Sequence, residues 1–488
     1  MTDRLQISKI GRFSQPVVEH NSTGAMTSNT TDPSQDELYK KREKIYPREV
    51  HGIFALLRNL TMVTLLGLYY GLPWINWDNH QSILFDLPER KFYVFGFTFW
   101  PQDFFLLTIL LIIAAVALFF FTTLAGRLWC GYACPQTVWT EIFLWFERKI
   151  EGSRQKQIKL DKAPLSARKV GIKTFKHFVL IAFSLWTGFT FVGYFTPITE
   201  LSQSVIHMTL GPWETFWIIF YGFATYGNAG WLREQVCIYM CPYARFQSAM
   251  FDHDTLIISY DEKRGNPRGA RKRGASSAEA GLGDCIDCKL CIQVCPVGID
   301  IRDGLQYQCI GCAACIDVCD DVMEKMSYPK GLIKYTTENA LFGKATKILR
   351  PRILFYTALL VALTAGLVYG VASRVPLEVN IIRDRNTLYN ETSQGLIENV
   401  YTLKLINMTN EDQVFDIKAS GIEGLKLVGT SEGIKVVTGG VKDVPIRLHA
   451  DPIMLKSRSS EVIFHVEARD NKEAKHSENG RFLGPLIK

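Results

Sequence analysis

Cysteine is absent from the first 129 residues of this 488-residue chain and from everything after Cys319, so all twelve cysteines lie in one interval. Twelve is too few for a secreted disulfide scaffold of this length, and the clustering indicates metal binding instead. Residues 1–50 contain no apolar run, which argues against a cleaved signal peptide. The formal net charge is only +7, and a charge spread so thinly argues against a nucleic-acid-binding protein.

Long apolar runs, in contrast, are present. Hydrophobic residues make up 47% of the chain, and five segments are apolar over about 20 residues, enough to cross the hydrocarbon core of a bilayer. These segments are residues 53–75, 103–124, 174–195, 213–230 and 353–372. The fourth is the weakest because Glu214 and three glycines dilute it, and a re-entrant or core helix is the alternative for it. The sequence therefore predicts an α-helical membrane domain of about five spans.

Positive charge is distributed unevenly between the connections. The connection after the second span carries ten Lys and Arg residues between positions 148 and 176, whereas residues 196–212 contain none. Positive residues near span ends stay in the cytoplasm, so the first of these connections is predicted to be cytoplasmic. With five spans, successive connections alternate between the two sides of the membrane. The N-terminus and residues 231–350 are then predicted to lie in the cytoplasm, and the tail after residue 372 outside it. Arg58, within the first apolar segment, is expected to snorkel to the cytoplasmic interface.

The tail differs from the rest of the chain, because short runs rich in Val, Ile, Leu and Tyr alternate there with Gly, Asn, Asp and Pro. The runs are 377–382, 397–406, 414–418, 425–428, 434–437, 444–449 and 461–467. About seven short strands predict an all-β sandwich. The tail has no cysteine, so it is not a disulfide-pinned immunoglobulin domain. It also lacks a catalytic-looking cluster and is predicted to be an interaction or assembly module.

Eight of the cysteines form a doubled motif. Its copies are Cys285-x2-Cys288-x2-Cys291-x3-Cys295-Pro296 and Cys309-x2-Cys312-x2-Cys315-x3-Cys319. This is the spacing of bacterial ferredoxins, in which three cysteines of one copy and the fourth of the other hold each [4Fe–4S] cluster. Because the copies exchange their fourth cysteine in this crossed arrangement, the predicted ligands of the first cluster are Cys285, Cys288, Cys291 and Cys319. The predicted ligands of the second cluster are Cys309, Cys312, Cys315 and Cys295. Zinc is the alternative, since paired Cys-x-x-Cys motifs also form tetrahedral sites, but the doubled pattern favours clusters.

The other four cysteines form a second repeat, Cys130-x3-Cys134-Pro135 after the second span and Cys237-x3-Cys241-Pro242 after the fourth. The matching places indicate a parallel duplication, with a helix beginning at each proline. If each Cys-x-x-x-Cys stretch is helical, its two sulfurs share one face. Two functions fit: thiolates suit Cu(I) or another thiophilic metal, and a close pair can cycle between dithiol and disulfide. Packing as small apolar side chains is the non-functional alternative.

These signals divide the chain into five predicted parts. They are a disordered cytoplasmic N-terminus (1–45), a membrane domain with four spans and both Cys-Pro motifs (46–252), a cytoplasmic ferredoxin-like domain (253–350), a fifth span (351–373) and an external immunoglobulin-like domain (374–488). The basic run 263–273 is expected to be an exposed flexible linker, and contact with anionic lipid headgroups is the alternative. No Gly-rich dinucleotide fingerprint follows a predicted strand, so we expect another protein or quinol to supply electrons.

In this order, the motifs resemble those of the FixG/CcoG (RdxA) family of cytochrome oxidase accessory proteins over nearly the whole chain. The likeness rests on residues 44–48, 73–77, 126–139 and 237–242, on the doubled cluster motif and on the tail. The resemblance implies a bacterial inner-membrane protein with an immunoglobulin-like periplasmic tail, which supports assembly of the cbb-type oxidase by reducing Cu(II) to Cu(I). It assigns the eight ferredoxin cysteines to two clusters, and Cys130, Cys134, Cys237 and Cys241 to copper handling.

The resulting hypothesis is an enzyme, an iron–sulfur-dependent cupric reductase with copper as its substrate. Its expected partners are membrane lipid, an unidentified cytoplasmic electron donor, and oxidase subunits or copper-transport proteins; no nucleic acid is expected, and a homodimer is left open. One alternative is a quinol-linked electron-transfer subunit, against which the tail's lack of a cysteine, haem motif or flavin signature counts. The other is a non-enzymatic copper chaperone or assembly scaffold whose clusters are structural.

Overall fold

The computed structural model describes residues 44–77, 80–273, 281–374, 377–409, 411–455, 457–471 and 474–485. The chain divides into two units, Met1–Lys44 and Ile45–Lys488, and every described residue except Lys44 belongs to the second. The N-terminal segment predicted to be disordered therefore lies almost entirely outside the described residues.

Helices dominate the first three quarters of the second unit. The α-helices are Ile53–Gly71, Phe104–Ala125, Leu128–Tyr132, Pro135–Glu151, Arg154–Lys162, Ala167–Val192, Ile198–Ile206, Pro212–Thr225, Pro242–Met250, Glu262–Gly265, Leu290–Val294, Ala314–Met326, Glu338–Leu341 and Pro351–Ala372. Two π-helices span Tyr226–Leu232 and Val236–Met240. Short 3-10 helices span Leu72–Trp74, Pro101–Asp103, Ile301–Asp303 and Pro452–Met454.

Four helices in the described ranges are long and apolar enough to cross a membrane. They are Ile53–Trp74, Pro101–Ala125, Ala167–Val192 and Pro351–Ala372, which we call the first, second, third and last spans. They coincide with four of the five predicted spans and have the length and composition that a span requires. The remaining segment, 213–230, is helical but is not among these candidates, because Glu214, Asn228 and its glycines dilute the apolar run. Its passage through the membrane stays a prediction.

The segment 212–232 packs along the third span. A Cβ atom on Gly188 of the third span would overlap the carbonyl oxygen of Ile218, and one on Gly222 would lie 3.3 Å from that of Ser184. The two backbones therefore touch where each helix carries a glycine. This is the close packing that small residues permit between membrane helices.

A small sheet that the sequence did not predict follows the first span. Its antiparallel strands are Ile83–Asp86, Lys91–Val94 and Phe97–Phe99, beside a short pair, Asn76–Trp77 and His80–Gln81. Strands of two to four residues carry too little alternation to be recognised from a pattern. Nearby, Arg374 at the end of the last span donates a 2.6 Å hydrogen bond to Asp103 at the start of the second. This pair fixes the ends of two spans that pack against each other.

Residues 257–336 contain a ferredoxin-like unit. Strands Ile257–Tyr260 and Ile333–Thr336 pair antiparallel in a register that sets Ile257 opposite Thr336. The helices Leu290–Val294 and Ala314–Met326 begin inside the two cysteine motifs and pack on each other. Buried apolar side chains of strands and helices form one core with several of the cysteines.

The basic run 263–273 is not the flexible linker expected from the sequence. Arg264 Nε donates to the carboxylate of Asp284 at 2.6 Å. Arg268 donates to the carbonyl oxygen of Arg302 at 3.0 Å and stacks over the Tyr260 ring. The expectation was wrong because these arginines pair with groups of the cluster domain that only the fold brings near them.

The C-terminal residues form a sandwich of two antiparallel sheets. The strand order in the first sheet is Lys426–Gly429, Val441–Ala450, Ile397–Asn407, Leu377–Arg383. The short strand Asn390–Glu391 also pairs with Ile397–Asn407. The strand order in the second sheet is Ile434–Val436, Gln413–Ser420, Ser459–Ala468, Lys475–Leu483. Tyr401, Phe415 and Phe464 are fully buried in the core. All seven predicted strands are present. The edge strand Lys475–Leu483 was missed because it is polar along most of its length and fully buries only Phe482.

Candidate metal centres

The first cluster site gathers four cysteines from both motifs. Cys285, Cys288 and Cys291 come from the loop and helix of the first motif, and Cys319 comes from the helix Ala314–Met326 of the second. All four line one cavity of about 30 Å³, which Tyr260 and several aliphatic side chains complete. The structure thus brings together the four residues that the crossed pattern predicts.

The second cluster site gathers the other four. Cys295, Cys309, Cys312 and Cys315 line a cavity of about 20 Å³. Cys291 lines both cavities, so the two sites share a wall. The grouping is the one that the ferredoxin spacing predicts, and the ligand roles of the individual sulfurs stay a prediction.

The two motifs share an unusual backbone. The residues before the second cysteine of each motif, Asp287 and Gly311, have φ angles of +53° and +70°, and the residues after it, Lys289 and Ala313, have +54° and +58°. Left-handed conformations are unfavourable for residues other than glycine, so their recurrence at matched positions indicates that both loops serve the same purpose. Turns of this type form anion-binding concavities, including those of iron–sulfur sites.

This donor set fits an iron–sulfur cluster better than a zinc ion. Within the described ranges, no three His, Cys, Asp or Glu side chains converge as a single metal ion requires. Tetrahedral zinc with Zn–S bonds of about 2.3 Å would draw its sulfurs to within about 4 Å of one another. Here each set of four surrounds a cavity instead, as a cubane that brings its own inorganic sulfide requires.

Burial sets the acid–base chemistry of these cysteines. It raises the pKa of Cys295 and of Cys319 to about 12, with neighbouring cysteines adding to the effect, and that of Cys291 to about 11. In the absence of metal these side chains are therefore neutral thiols near pH 7, and a bound metal must displace their protons. Arg302, paired with Asp287 at 2.5 Å, supplies a positive charge that lowers the pKa of Cys291.

The other four cysteines, which we call the membrane-side thiols (Cys130, Cys134, Cys237 and Cys241), lie on two copies of one structural element. Four residues before the first cysteine of each copy, Gly126 and Arg233 have φ/ψ angles of +56°/−117° and +48°/−114°. The second cysteine of each copy is extended and precedes a proline that begins a helix. The backbone thus shows the predicted duplication. The helix breaks before each second cysteine, so the two sulfurs of a copy do not lie one turn apart on one continuous helix.

Hydrogen bonds join the two copies. Arg127 of the first donates to the carbonyl oxygen of Ala244 of the second at 2.5 Å. Gln136 of the first copy donates to the carbonyl oxygens of Asn228 and Arg233 at 2.9 and 3.0 Å. These bonds tie the loop of each copy to the backbone of the other.

The membrane-side thiols form one group as a result. Burial, to which the charges of Cys134 and Cys237 add, raises the pKa of Cys130 to about 12. The pKa of Cys237 is raised to about 12 by burial, then by Cys134 and Cys241. Thiols of both copies therefore lie within electrostatic range of one another. No three of these donors converge on a single ion in the described part of the chain, so copper coordination by these thiols stays a prediction.

The first copy lies directly against the second cluster site. A Cβ atom on Gly131 would lie 2.7 Å from the carbonyl oxygen of Gly311 and 3.0 Å from Cα of Cys312. Arg127 donates to the carbonyl oxygen of Cys309 at 3.1 Å, and Arg58 donates to that of Cys312. Arg58 therefore contacts the cluster domain, and its snorkelling to the cytoplasmic interface stays a prediction. Nothing in the sequence pattern indicates this contact, because its partner lies 254 residues away.

Asp317 anchors the cluster domain on the first span. Its carboxylate accepts hydrogen bonds from the N–H groups of Phe54 and Ala55, at 3.1 and 2.7 Å. A carboxylate at a helix N-terminus satisfies free N–H groups and interacts favourably with the helix dipole. Asp317 lies two residues after Cys315, so this contact fixes the second cluster site relative to the membrane domain.

A larger cavity, of about 140 Å³, lies beside the second cluster site. Both Cys237 and Cys312 line it, so a membrane-side thiol and a predicted cluster ligand face the same space. Charged and titratable side chains make up much of the remaining wall: Arg48, Glu49, His51, Arg58, Glu141, Arg148, Arg233 and Glu234. We call this space the thiol cavity. It can admit a small polar solute next to both sites.

Together, the paired cysteine motifs, the apolar spans and the C-terminal sandwich define an iron–sulfur membrane protein of the polyferredoxin class. Family models agree. A model described as 4Fe-4S dicluster domain matches residues 232–338, one described as 4Fe-4S binding domain matches 107–152, and one described as IG-like fold at the C-terminal of FixG matches 367–485.

The chain belongs to the FixG family. It is 37% identical over 465 residues to nitrogen fixation protein FixG of Rhizobium meliloti, which covers 87% of this chain and 89% of the relative. It is 40% identical over 409 residues to protein RdxA of Cereibacter sphaeroides, which covers 80% and 85% of the two chains. The crystal structure of a FixG-related protein from Vibrio parahaemolyticus matches 23% of this chain and 98% of its own, with 31% identity and a TM-score of 0.21. The family predicted from the motifs is confirmed.

Proposed function

We propose that the chain reduces Cu(II) to Cu(I) for the assembly of a cbb-type cytochrome oxidase. In this reaction each Cu(II) gains one electron, and a reduced one-electron carrier of the cytoplasm is oxidised; no covalent bond of the substrate forms or breaks. Bound at the two cysteine sites, [4Fe–4S] clusters supply one-electron transfer. The eight ferredoxin cysteines would hold them; the second site lies among largely buried side chains, whereas Cys288 leaves the first site open to solvent.

The observation that carries the proposal is the contact between the second cluster site and the membrane-side thiols. Gly131, next to Cys130, lies against Gly311 and Cys312 with no side chain between them. Electron transfer requires short separations, and this contact places the four thiols next to a predicted redox centre. The resemblance assigns copper handling to this same group of thiols.

The thiol cavity supplies a place for copper beside them. His51 and the carboxylates of Glu49 and Glu234 line this cavity and are donors suited to Cu(II). The arginines of the wall are partly neutralised by their own partners: Arg148 pairs with Glu141 at 3.0 Å, and Arg233 pairs with Glu147 at 2.5 Å.

The membrane arrangement supports a bacterial inner-membrane protein with cytoplasmic clusters. The basic connection after the second span sets its side of the membrane. The segment 212–232 lies along the third span, in backbone contact at Gly188 and Gly222, which favours a return through the bilayer. Five crossings then place the C-terminal sandwich in the periplasm, where we expect it to bind an oxidase subunit or a copper-transport protein.

The test uses the full-length, iron-loaded protein in detergent under anaerobic conditions. After reduction and removal of the reductant, Cu(II) is added, and cluster bleaching is followed together with Cu(I) formation. We expect one Cu(I) per electron lost. A Cys312→Ser variant should lose most of this activity, while a Ser202→Ala variant, at a half-buried position far from the sites in sequence, should retain it.

Two results would decide against the proposal. Clusters that stay reduced while copper binds would indicate a copper chaperone or assembly scaffold. Reoxidation by a water-soluble quinone but not by Cu(II) would indicate a quinone-linked electron-transfer subunit.

A further inference from the structure

We propose that the four membrane-side thiols bind a third [4Fe–4S] cluster, which the two Cys-Pro copies share. This inference takes from the proposed function only the direction of electron flow. It places copper in the thiol cavity rather than on these four sulfurs. The proposed cofactor is the same as at the ferredoxin sites, but its ligands come from the two Cys-Pro motifs.

The four membrane-side thiols equal the number of ligands that a [4Fe–4S] cluster needs. Each copy contributes two cysteines, and the matched backbone angles at Gly126 and Arg233 present them in the same way. Thiols of one copy act electrostatically on those of the other. In the described ranges they do not converge on a single ion, and neither do the cysteines of the two ferredoxin sites. The sulfur of Cys130 in the first copy also contacts the helix Pro242–Met250 of the second copy, through Gln247.

Gln247 gives a second, independent indication. Its side chain is fully buried, and its Oε1 accepts a 3.4 Å hydrogen bond from the Cys130 thiol. Its amide nitrogen makes no hydrogen bond of normal geometry with any described residue. A buried donor without an acceptor costs about 1–3 kcal/mol. A cluster with thiolate and sulfide sulfurs supplies an acceptor next to this amide, and hydrogen bonds of this kind tune cluster potentials.

One family model supports an iron–sulfur role for the first copy. The 4Fe-4S binding model covers residues 107–152, in which Cys130 and Cys134 are the only cysteines. The dicluster model covers residues 232–338, which include Cys237 and Cys241 as well as the eight ferredoxin cysteines. All four proposed ligands therefore lie in segments that match iron–sulfur families.

The location suits a third one-electron centre. The first copy touches the second cluster site through Gly131, and Cys237 of the second copy lines the thiol cavity. The membrane-side thiols thus adjoin both the predicted second cluster and the proposed place of copper.

The test is an iron and acid-labile sulfide count on the anaerobically loaded full-length protein. Three clusters give about 12 iron atoms per chain, and two give about 8. A variant with serine at all four membrane-side positions should lose about 4 iron atoms and one electron paramagnetic resonance signal. The reverse variant, Cys288→Ser with Cys312→Ser, should keep an iron–sulfur spectrum that arises from the membrane-side thiols alone.

Gln247→Leu tests the same site without removing a ligand. We expect the midpoint potential of one of three signals to shift while the other two stay unchanged. Gln157→Leu, which alters a buried glutamine elsewhere, is the matched control and should shift none.

A count of about 8 iron atoms per chain that the four-serine variant does not lower would overturn the inference. So would stoichiometric Cu(I) binding to all four thiols in the iron-loaded protein. Because the count does not depend on copper reduction, failure here and failure of the proposed function are distinguishable.

Discussion

Gly131→Ala tests the contact on which the proposed electron route depends. The added methyl group would meet the carbonyl oxygen and carbon of Gly311 at 2.7 and 2.9 Å and Cα of Cys312 at 3.0 Å. All three are backbone atoms, so no flexible side chain can move aside. Reaching ordinary contact requires the loop and the helix Leu128–Tyr132 to separate by roughly 0.7 Å.

The two energetic effects of this substitution have opposite signs. Alanine in a helix is favoured over glycine by about 1 kcal/mol, whereas overpacking a close contact costs about 1–3 kcal/mol. Since the clash is with backbone, we expect overpacking to dominate and the free energy of unfolding to fall by about 1–2 kcal/mol. The larger separation should also slow the reoxidation of reduced clusters by Cu(II).

The matched control is Gly67→Ala, in the first span, where a Cβ atom meets nothing within 4 Å. Both variants are compared with the unaltered protein by thermal unfolding in detergent and by the rate of Cu(II)-dependent cluster bleaching. Equal unfolding temperatures and equal rates for the two alanine variants would refute the claim that this contact links the sites.

Three further predictions concern anchoring, backbone strain and protonation. Asp317→Asn should lower the free energy of unfolding by about 1–2 kcal/mol, because a charged acceptor at the start of the first span is lost; thermal unfolding should show no such loss for the exposed Asp321→Asn. Arg233→Gly relieves a left-handed backbone but leaves the buried Glu147 without this partner. We therefore expect the free energy of unfolding to fall by about 1–3 kcal/mol, and a variant more stable than the native chain would contradict this balance. Cluster loading, followed by visible absorbance, should rise between about pH 6.5 and pH 8.5. Burial raises the pKa values of thiols such as Cys319, so higher pH increases the fraction of thiolate that can bind iron. A loading yield that falls with increasing pH would count against this reasoning.

The sequence was most informative where function depends on local spacing. The doubled cysteine motif predicts the two groups of four, because the ferredoxin loop fixes three sulfurs and the crossing supplies the fourth. Proline after each membrane-side pair likewise predicts where the helices Pro135–Glu151 and Pro242–Met250 begin. Both signals are local, and each has a direct steric cause.

The sequence was least informative where a contact joins distant parts of the chain. Arg58 and Asp317 hold the cluster domain on the membrane domain, yet each partner lies more than 250 residues away. Arg264 and Arg268 look like a basic linker until the fold places acceptors beside them. No periodicity or composition reports such pairs, because they depend on how two domains dock.

The duplicated element shows how two copies of one geometry can diverge in chemistry. In the first copy the kink is at Gly126, where a Cβ atom would lie 2.8 Å from the carbonyl oxygen of Leu256, and Gly131 follows at the cluster contact. Close approach therefore requires small residues on this side. In the second copy the same backbone angles occur at Arg233, although they are unfavourable for a residue with a side chain.

The side chain of Arg233 accounts for this strain. It donates to the carbonyl oxygen of Gly230 at 3.0 Å and pairs with Glu147, which also contacts the buried Lys176. This network fixes the segment before Cys237 to the third span and places a charge in the wall of the thiol cavity. The first copy is thus built for contact with the cluster domain, and the second contributes a charge to the wall of the thiol cavity. An exchange of Gly126 and Arg233 should therefore damage both the cluster-domain contact and the thiol cavity, although the two positions have the same backbone geometry.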